Sequence, residues 1–134
     1  MDNSFFKDIF SFKNIAVVGL SPNPARPSNY VSKYMLENGY NIIPVNPGYK
    51  SIFNIECFPS LDSIPYSIDI VNVFRNSKYV LPIIKDALLI KSKVIWLQDG
   101  IESNEGKILA QKSGVKFVFN DCILRRHRSL LNDL

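Results

Sequence analysis

The side chains best suited to chemistry are concentrated in the segment Gly19 to Ser28, GLSPNPARPS, and in a few residues further along: Asn46-Pro47 with Lys50, Arg75, Gln98, Cys122 and His127. In the segment, Gly19 lets a ligand come close to the backbone, Ser21 and Ser28 offer hydroxyls, and Arg26 offers a two-pronged guanidinium suited to phosphate. The apolar run Ile15-Ala16-Val17-Val18 precedes it, and a helical pattern opens near Pro27. A strand, a loop of small residues and a helix start direct free N–H groups and the positive end of a helix dipole at one anion. The loop has neither G-x-G-x-x-G nor G-x-x-x-x-G-K-[ST], and Pro22, Pro24 and Pro27 replace the glycines of those motifs. The segment is therefore read as an unusual cradle for a nucleotide-like ligand. The alternative is that Gly19 only turns the chain and Arg26 is a surface charge.

The other residues narrow the ligand. Dinucleotide sites place a carboxylate after the second strand to accept the ribose hydroxyls. Here that place holds Asn46-Pro47, and Lys50 follows, either to meet a phosphate on the ribose, as in NADP or coenzyme A, or as a solvated loop lysine. Arg75 follows Ile70-Val71-Asn72-Val73-Phe74 directly, which suits a ligand contact or a structural ion pair. Gln98 occupies the matching place after Val94-Ile95-Trp96-Leu97, and its amide suits a polar ligand group such as an amide. Cys122 is expected at a strand end, facing the same crevice or buried as a small hydrophobe. His127, the only histidine, stands among Arg125, Arg126 and Arg128, whose charge would lower its basicity, and is read as a surface or capping residue. No Ser/His/Asp set, carboxylate dyad or metal cluster can be assembled, so the inventory describes a binder rather than a catalyst.

These residues need a parallel sheet to bring them together. Short β-branched runs alternate with helical patterns, which implies βαβ units and a doubly wound α/β, Rossmann-like fold, mainly parallel, with helices on both faces. Strands are predicted near Asn14 to Gly19, Asn41 to Val45, Asp69 to Phe74, Val94 to Gln98 and Val115 to Phe119, with a weaker one near Glu56 to Phe58. Helices are predicted from Pro27 to Asn38, with Tyr30, Val31, Tyr34 and Met35 on one face, and from Asn76 or Ser77 through Leu88 and Leu89. Two more run from Glu102 to Ser113 and from Cys122 to Leu134. Phe5, Phe6, Ile9 and Phe10 recur at helical spacing and predict a short helix over residues 1–13 packed on the sheet. In such a fold ligands sit beyond the carboxyl ends of the strands, where all the candidate segments converge.

Size and composition set the outer limits. The 134 residues suit one domain over residues 1–134, and 46% hydrophobic with 21% charged residues is ordinary globular composition. The net charge of +4 is spread along the chain apart from the arginines near the end, and no nucleic-acid module signature accompanies it. The N-terminus lacks an uninterrupted apolar core and a cleavage site, no run is long enough to span a bilayer, and Cys57 and Cys122 form neither a disulfide framework nor a zinc pattern. These features suit a cytoplasmic protein with no nucleic-acid or membrane partner.

With these residues in hand, the chain resembles the small stand-alone CoA-binding domain proteins, which are similar to the N-terminal CoA-binding domain of succinyl-CoA synthetase α subunits. The resemblance rests on IAVVGLSPNPARPS (15–28), GYNIIPVNPG (39–48), FPSLDSIP (58–65), DIVNVFR (69–75), VIWLQDGI (94–101), and Cys122 with His127. It implies coenzyme A, free or acylated, as the ligand. Gly19, Ser21, Asn23, Pro24 and Arg26 would meet phosphates and pantetheine, and Val45, Asn46, Pro47 and Lys50 would lie near the adenosine and its 3'-phosphate. Phe74 and Arg75 would line the crevice floor, and Gln98, Gly100 and Ile101 would meet the pantetheine arm. The synthetases take their phosphohistidine and nucleotide chemistry from a second domain and a partner subunit, so the resemblance implies a non-catalytic binding or sensing module. An NADP-dependent oxidoreductase or redox sensor is the rival reading, and a CoA-binding subunit that completes an acyl-CoA ligase with another chain is a third.

Overall fold

Strands built from Ile, Val and Ala without polar alternation need apolar cover on both faces, and a parallel sheet between two helical layers supplies it. The computed structural model describes residues 2–133. Strands β1 (Asn14–Val18), β2 (Asn41–Val45), β5 (Ile70–Val73), β6 (Val94–Leu97) and β7 (Lys116–Val118) form one parallel sheet in the order β2-β1-β5-β6-β7. Val17 lies opposite Pro44 on one side and Asn72 on the other, and Asn72 lies opposite Trp96. Pro44, which has no N–H to donate, is tolerated because β2 is an edge strand. The strand order reverses between β1 and β5, so the crevice at their carboxyl ends is the switch point where ligands bind in open sheets.

Helices α1 (Asn3–Phe10), α2 (Pro27–Glu37) and α5 (Ile123–Asn132) cover one face, while α3 (Val80–Leu89) and α4 (Asn104–Lys112) cover the other. On the first face Trp96 is fully buried between Phe6 and Phe10, with ring centroids at 5.8 and 6.0 Å. Its indole N–H donates to the Asp121 carbonyl at 2.9 Å, which ties β6 to the turn that opens α5. On the second face Val80, Ile84 and Ala87 of α3 and Ala110 of α4 pack on Ala16, Val71, Val73, Ile95 and Leu97. No helix among the described residues is long and apolar enough to cross a membrane.

Several local expectations are corrected. The weak strand expected at Glu56 to Phe58 is a hairpin instead, with β3 (Ser51–Ile52) antiparallel to β4 (Ile55–Glu56), and Phe58 makes a single bridge to Val45. The hairpin turn is Phe53-Asn54, both at φ 58. That is the left-handed turn normally signalled by glycine, so the sequence carried no marker for it. At Asn76 the chain first makes a 3₁₀ turn, Ser77–Tyr79, before α3, which leaves Pro82 in the first turn of α3 where its missing N–H is harmless. Leu89 is 79% exposed and Tyr30 51%, so neither belongs to the core face expected of it.

His127 is also corrected. It is buried, not on the surface, and its ring meets Phe10, Tyr34 and Tyr40 at centroid distances of 5.2, 5.5 and 5.5 Å. Its Nδ1 is 2.8 Å from the Tyr34 hydroxyl. Burial, and then the charge of Lys13, hold its basicity below the ordinary histidine value; the neighbouring arginines are not the cause.

Candidate functional site

The loop from Gly19 to Ser28 is built by its own polar side chains. Ser28 Oγ accepts the N–H of Ser21 at 3.0 Å, Ser21 Oγ that of Asn23 at 3.1 Å, and Asn23 Oδ1 that of Ala25 at 3.0 Å. Asn29 Nδ2 donates to the Ser21 carbonyl at 2.8 Å, and the N–H of Arg26 bonds the Asn23 carbonyl at 3.0 Å. The three prolines carry no N–H, so the loop closes on itself rather than presenting a row of donors as glycine-rich phosphate loops do. What remains for an anion is the N–H of Ser28, the dipole of α2 and the Arg26 guanidinium. Arg26 is the N-cap of α2 and makes no side-chain capping bond.

Gly19 is required by packing as much as by any ligand. It has φ +88, and a Cβ there would sit 2.6 Å from the Phe74 carbonyl oxygen and 3.2 Å from Arg75 Cδ. Its N–H donates to the Val45 carbonyl at 3.0 Å, so this one residue holds the ends of β1, β2 and β5 together.

Around these strand ends lies a cleft of about 1360 Å³. Of the residues expected at the site, Gly19, Ser21, Arg26, Phe74, Arg75, Gln98, Gly100 and Ile101 line it. Asn23, Pro24, Val45, Asn46, Pro47 and Lys50 do not. Asn23 and Pro24 form the outer tip of the loop, and Val45 is buried at the end of β2. Asn46 braces the neighbouring loops, donating from Nδ2 to the Leu20 carbonyl at 3.0 Å and accepting the N–H of Gly48 at 2.9 Å. Lys50 is exposed beside the β3–β4 hairpin, its carbonyl accepting the N–H of Cys57 at 2.9 Å.

Charges in the cleft fall into two groups. Arg26, Arg75 and Arg128 have no carboxylate partner among the described residues; Arg75 lies over the Tyr79 ring at 5.2 Å and Arg128 over Tyr34 at 5.3 Å. Arg125 grips both oxygens of Asp99, at 3.1 and 2.9 Å, and reaches Asp121 at 3.0 Å, while Arg126 Nε meets Asp121 at 2.7 Å. The bond to Arg125 holds the Asp99 carboxyl below its usual range, and the same pairing raises the basicity of Arg125.

Gln98 is 4% exposed, and its Nε2 donates to Asn72 Oδ1 at 2.8 Å. Its Oε1 accepts no hydrogen bond from the described residues, and the residue lines the cleft. Cys122 lines the same cleft, half-buried at the N-cap of α5, whereas Cys57 is buried and its thiol is pushed up by burial. The sequence reading missed the contribution of α5 itself, where Leu124, Arg125, Arg128, Ser129 and Asn132 form the wall facing Tyr30 and Val31 of α2. Their spacing, offset from buried Ile123, His127 and Leu130, was the available signal.

Comparison with known proteins agrees with this architecture. A family model described as "CoA binding domain" matches residues 13–128. The uncharacterised protein YneT of Bacillus subtilis is 39% identical over 115 residues, covering 86% of this chain and 85% of that one. An ADP-forming acetate–CoA ligase of Archaeoglobus fulgidus is 27% identical over 127 residues, 86% of this chain but 18% of the ligase. A hypothetical protein from Pyrococcus horikoshii, 35% identical, superposes with a TM-score of 0.93 over 98% of this chain and 93% of its own.

Proposed function

The chain belongs to the CoA-binding domain family, and on that premise we propose that its cleft binds coenzyme A or an acyl-CoA, as a cytoplasmic single-domain module that senses or buffers the ligand without catalysis of its own. The observation that carries this reading is the pair of unmatched guanidinium groups, Arg26 and Arg75, lining one cleft with the uncapped N-terminus of α2. A diphosphate is the group such a site neutralises best. The cleft exceeds the roughly 300–1,000 Å³ of ordinary small-ligand pockets, which suits a long ligand.

The residues fit coenzyme A in three parts. Ser28 N–H, Arg26 and Arg75 take the diphosphate, with Gly19, Ser21, Asn23 and Pro24 shaping the loop. Phe74, Gln98, Gly100 and Ile101 run along the pantetheine arm, Gln98 Oε1 accepting an amide N–H. Asn46, Pro47 and Lys50 lie outside the cleft at the β2 edge, with Val45 buried behind them; the adenosine extends beyond the cleft over that edge, where the exposed Lys50 meets the 3'-phosphate. Two unpaired thiols, Cys57 and Cys122, suit the reducing cytoplasm.

Calorimetry of the purified protein against CoA, dephospho-CoA and NADPH tests the reading. CoA is expected to bind, and Lys50→Ala to weaken CoA several-fold while leaving dephospho-CoA unchanged. Absence of CoA binding in a folded sample rejects the proposal, and preference for NADPH transfers the cleft to the oxidoreductase reading. The likeness to the ADP-forming ligase favours one second reading, a CoA-binding subunit of an acyl-CoA ligase. That reading alone predicts a stable partner chain on affinity capture and acyl-CoA synthesis by the pair.

A further inference from the structure

We propose that Cys122 exchanges with a disulfide of coenzyme A seated in the cleft, so that the protein stores the ligand as a mixed disulfide. The inference rests on the CoA reading above but goes beyond it, from reversible binding to a covalent thiol site. Its first support is the length of the ligand set against the width of the sheet. The pantetheine arm, from diphosphate to sulfur, is a chain of about thirteen bonds and spans roughly 15 Å when extended. Adjacent strands lie about 4.8 Å apart, so an arm anchored at the end of β1 and crossing β5 reaches β6 and β7 after about 10–14 Å.

Cys122 lines the same cleft as Arg26 and Ser28, on the side formed by the turn after β7. The N–H of Asp121 bonds the Leu97 carbonyl and the Asp121 carbonyl accepts Trp96 Nε1, which folds the turn after β7 back over the end of β6 and brings Cys122 to the cleft wall. The second support is Gln98, on the path between the two ends. The residue is 4% exposed and lines the cleft, its Nε2 is committed to Asn72, and its Oε1 takes no hydrogen bond from the described residues. An acceptor held in that position marks the place of a ligand amide N–H, and the pantetheine arm has amides before its sulfur.

The chemistry is thiol–disulfide exchange. The Cys122 thiolate attacks one sulfur of the CoA disulfide, the S–S bond breaks, and one CoA leaves as a thiolate that takes up a proton. The Cys122–S–S–CoA bond formed is reversed by a second thiol through the same exchange, so no electron acceptor beyond the disulfide is needed. The groove between α2 and α5, lined by Tyr30, Leu124 and Arg128, gives the departing half a way out. Cys57, buried in the apolar core, serves as an internal control.

The test is intact-mass and peptide mapping after incubation with CoA disulfide and, separately, with glutathione disulfide at equal concentration. The expected result is an adduct of one CoA at Cys122, absent in Cys122→Ser. It should form at least about tenfold faster than the glutathione adduct because the bound ligand raises the effective concentration of its sulfur. Excess acetyl-CoA, which fills the cleft without a free thiol, is expected to suppress the CoA adduct only. Gln98→Leu should slow the CoA reaction and leave the glutathione reaction unchanged. An adduct at Cys57, no adduct, or equal rates for the two disulfides overturns the proposal. Calorimetry of Cys122→Ser with CoA separates the two claims: retained binding with no guided adduct in the wild type rejects the exchange alone, and loss of CoA binding in both proteins rejects the underlying reading.

Discussion

The corner after β1 and the corner where β6, β7 and α5 meet are both rich in arginine, and they use it differently. At the first, Arg26 and Arg75 stand beside the N-terminus of α2 with no carboxylate among the described residues. At the second, Arg125 and Arg126 are engaged by Asp99 and Asp121 and clasp α5 to the ends of β6 and β7. A cation already neutralised by a bidentate carboxylate adds little to the field an incoming anion feels. Within the chain's most basic stretch Arg125 and Arg126 are therefore a structural clasp, whereas Arg128, like Arg26 and Arg75, lines the cleft without a carboxylate partner among the described residues.

The largest expected effect concerns the first corner. Gly19→Ala combines a strained left-handed backbone with a Cβ driven against the Phe74 carbonyl, and it is expected to lower the unfolding free energy by about 3 kcal/mol. Urea denaturation measures it. A stable variant would mean that the junction of β1, β2 and β5 is not as tight as its geometry. Next comes the charge contrast itself. Arg26→Ala and Arg75→Ala are each expected to weaken CoA about tenfold or more, the worth of a charge-assisted hydrogen bond, with little change in stability. Arg125→Ala is expected to weaken it by less than about threefold. Equal losses on calorimetry would erase the distinction between the corners.

A smaller effect comes from the core behind the second corner. Burial lowers the affinity of His127 for a proton in the folded state, so the unfolded chain binds more protons between that lowered value and about 6.5. Stability is complete above about pH 6.5 and falls as the pH drops toward the lowered value. Denaturation midpoints of the wild type should show this decline between pH 7 and 5, and His127→Gln should flatten it. The smallest effect is the clasp's own. The Asp99 carboxyl titrates below the ordinary carboxylate value, so its contribution is present above about pH 3.9 and is lost as the pH falls through the lowered folded value. Both side chains are more than half exposed, so Arg125→Ala should cost about 1 kcal/mol or less at pH 7, and the difference should vanish in acid.

The strands were readable because fully buried parallel strands are written as continuous apolar runs, and α1 because Phe6, Ile9 and Phe10 keep helical spacing. The β3–β4 hairpin was not readable, since Phe53 and Asn54 adopt its left-handed turn without glycine. His127 was misplaced for a different reason. Its neighbours in sequence are arginines, but its neighbours in space are Phe10, Tyr34 and Tyr40, drawn from three other elements. Tyr30 fitted the apolar face of α2 by type, yet it lies exposed along the cleft.

By itself the sequence determined the order of the five parallel strands and of the helices, the placing of GLSPNPARPS between β1 and α2, and thus the end of the sheet at which a ligand would sit. Those features depend on local periodicity and on residues a few positions apart. Only the tertiary structure decided which arginines are free and which are bound, that Gln98 lines the cleft with its amide nitrogen held by Asn72, and that Cys122 lines the same cleft as Arg125. Such pairings join residues about 25 positions apart, as Arg125 to Asp99 and Gln98 to Asn72 at separations of 26. Coulomb attraction and hydrogen bonding act over a few ångströms of space, and the register of the parallel sheet, not distance along the chain, sets who the neighbours are.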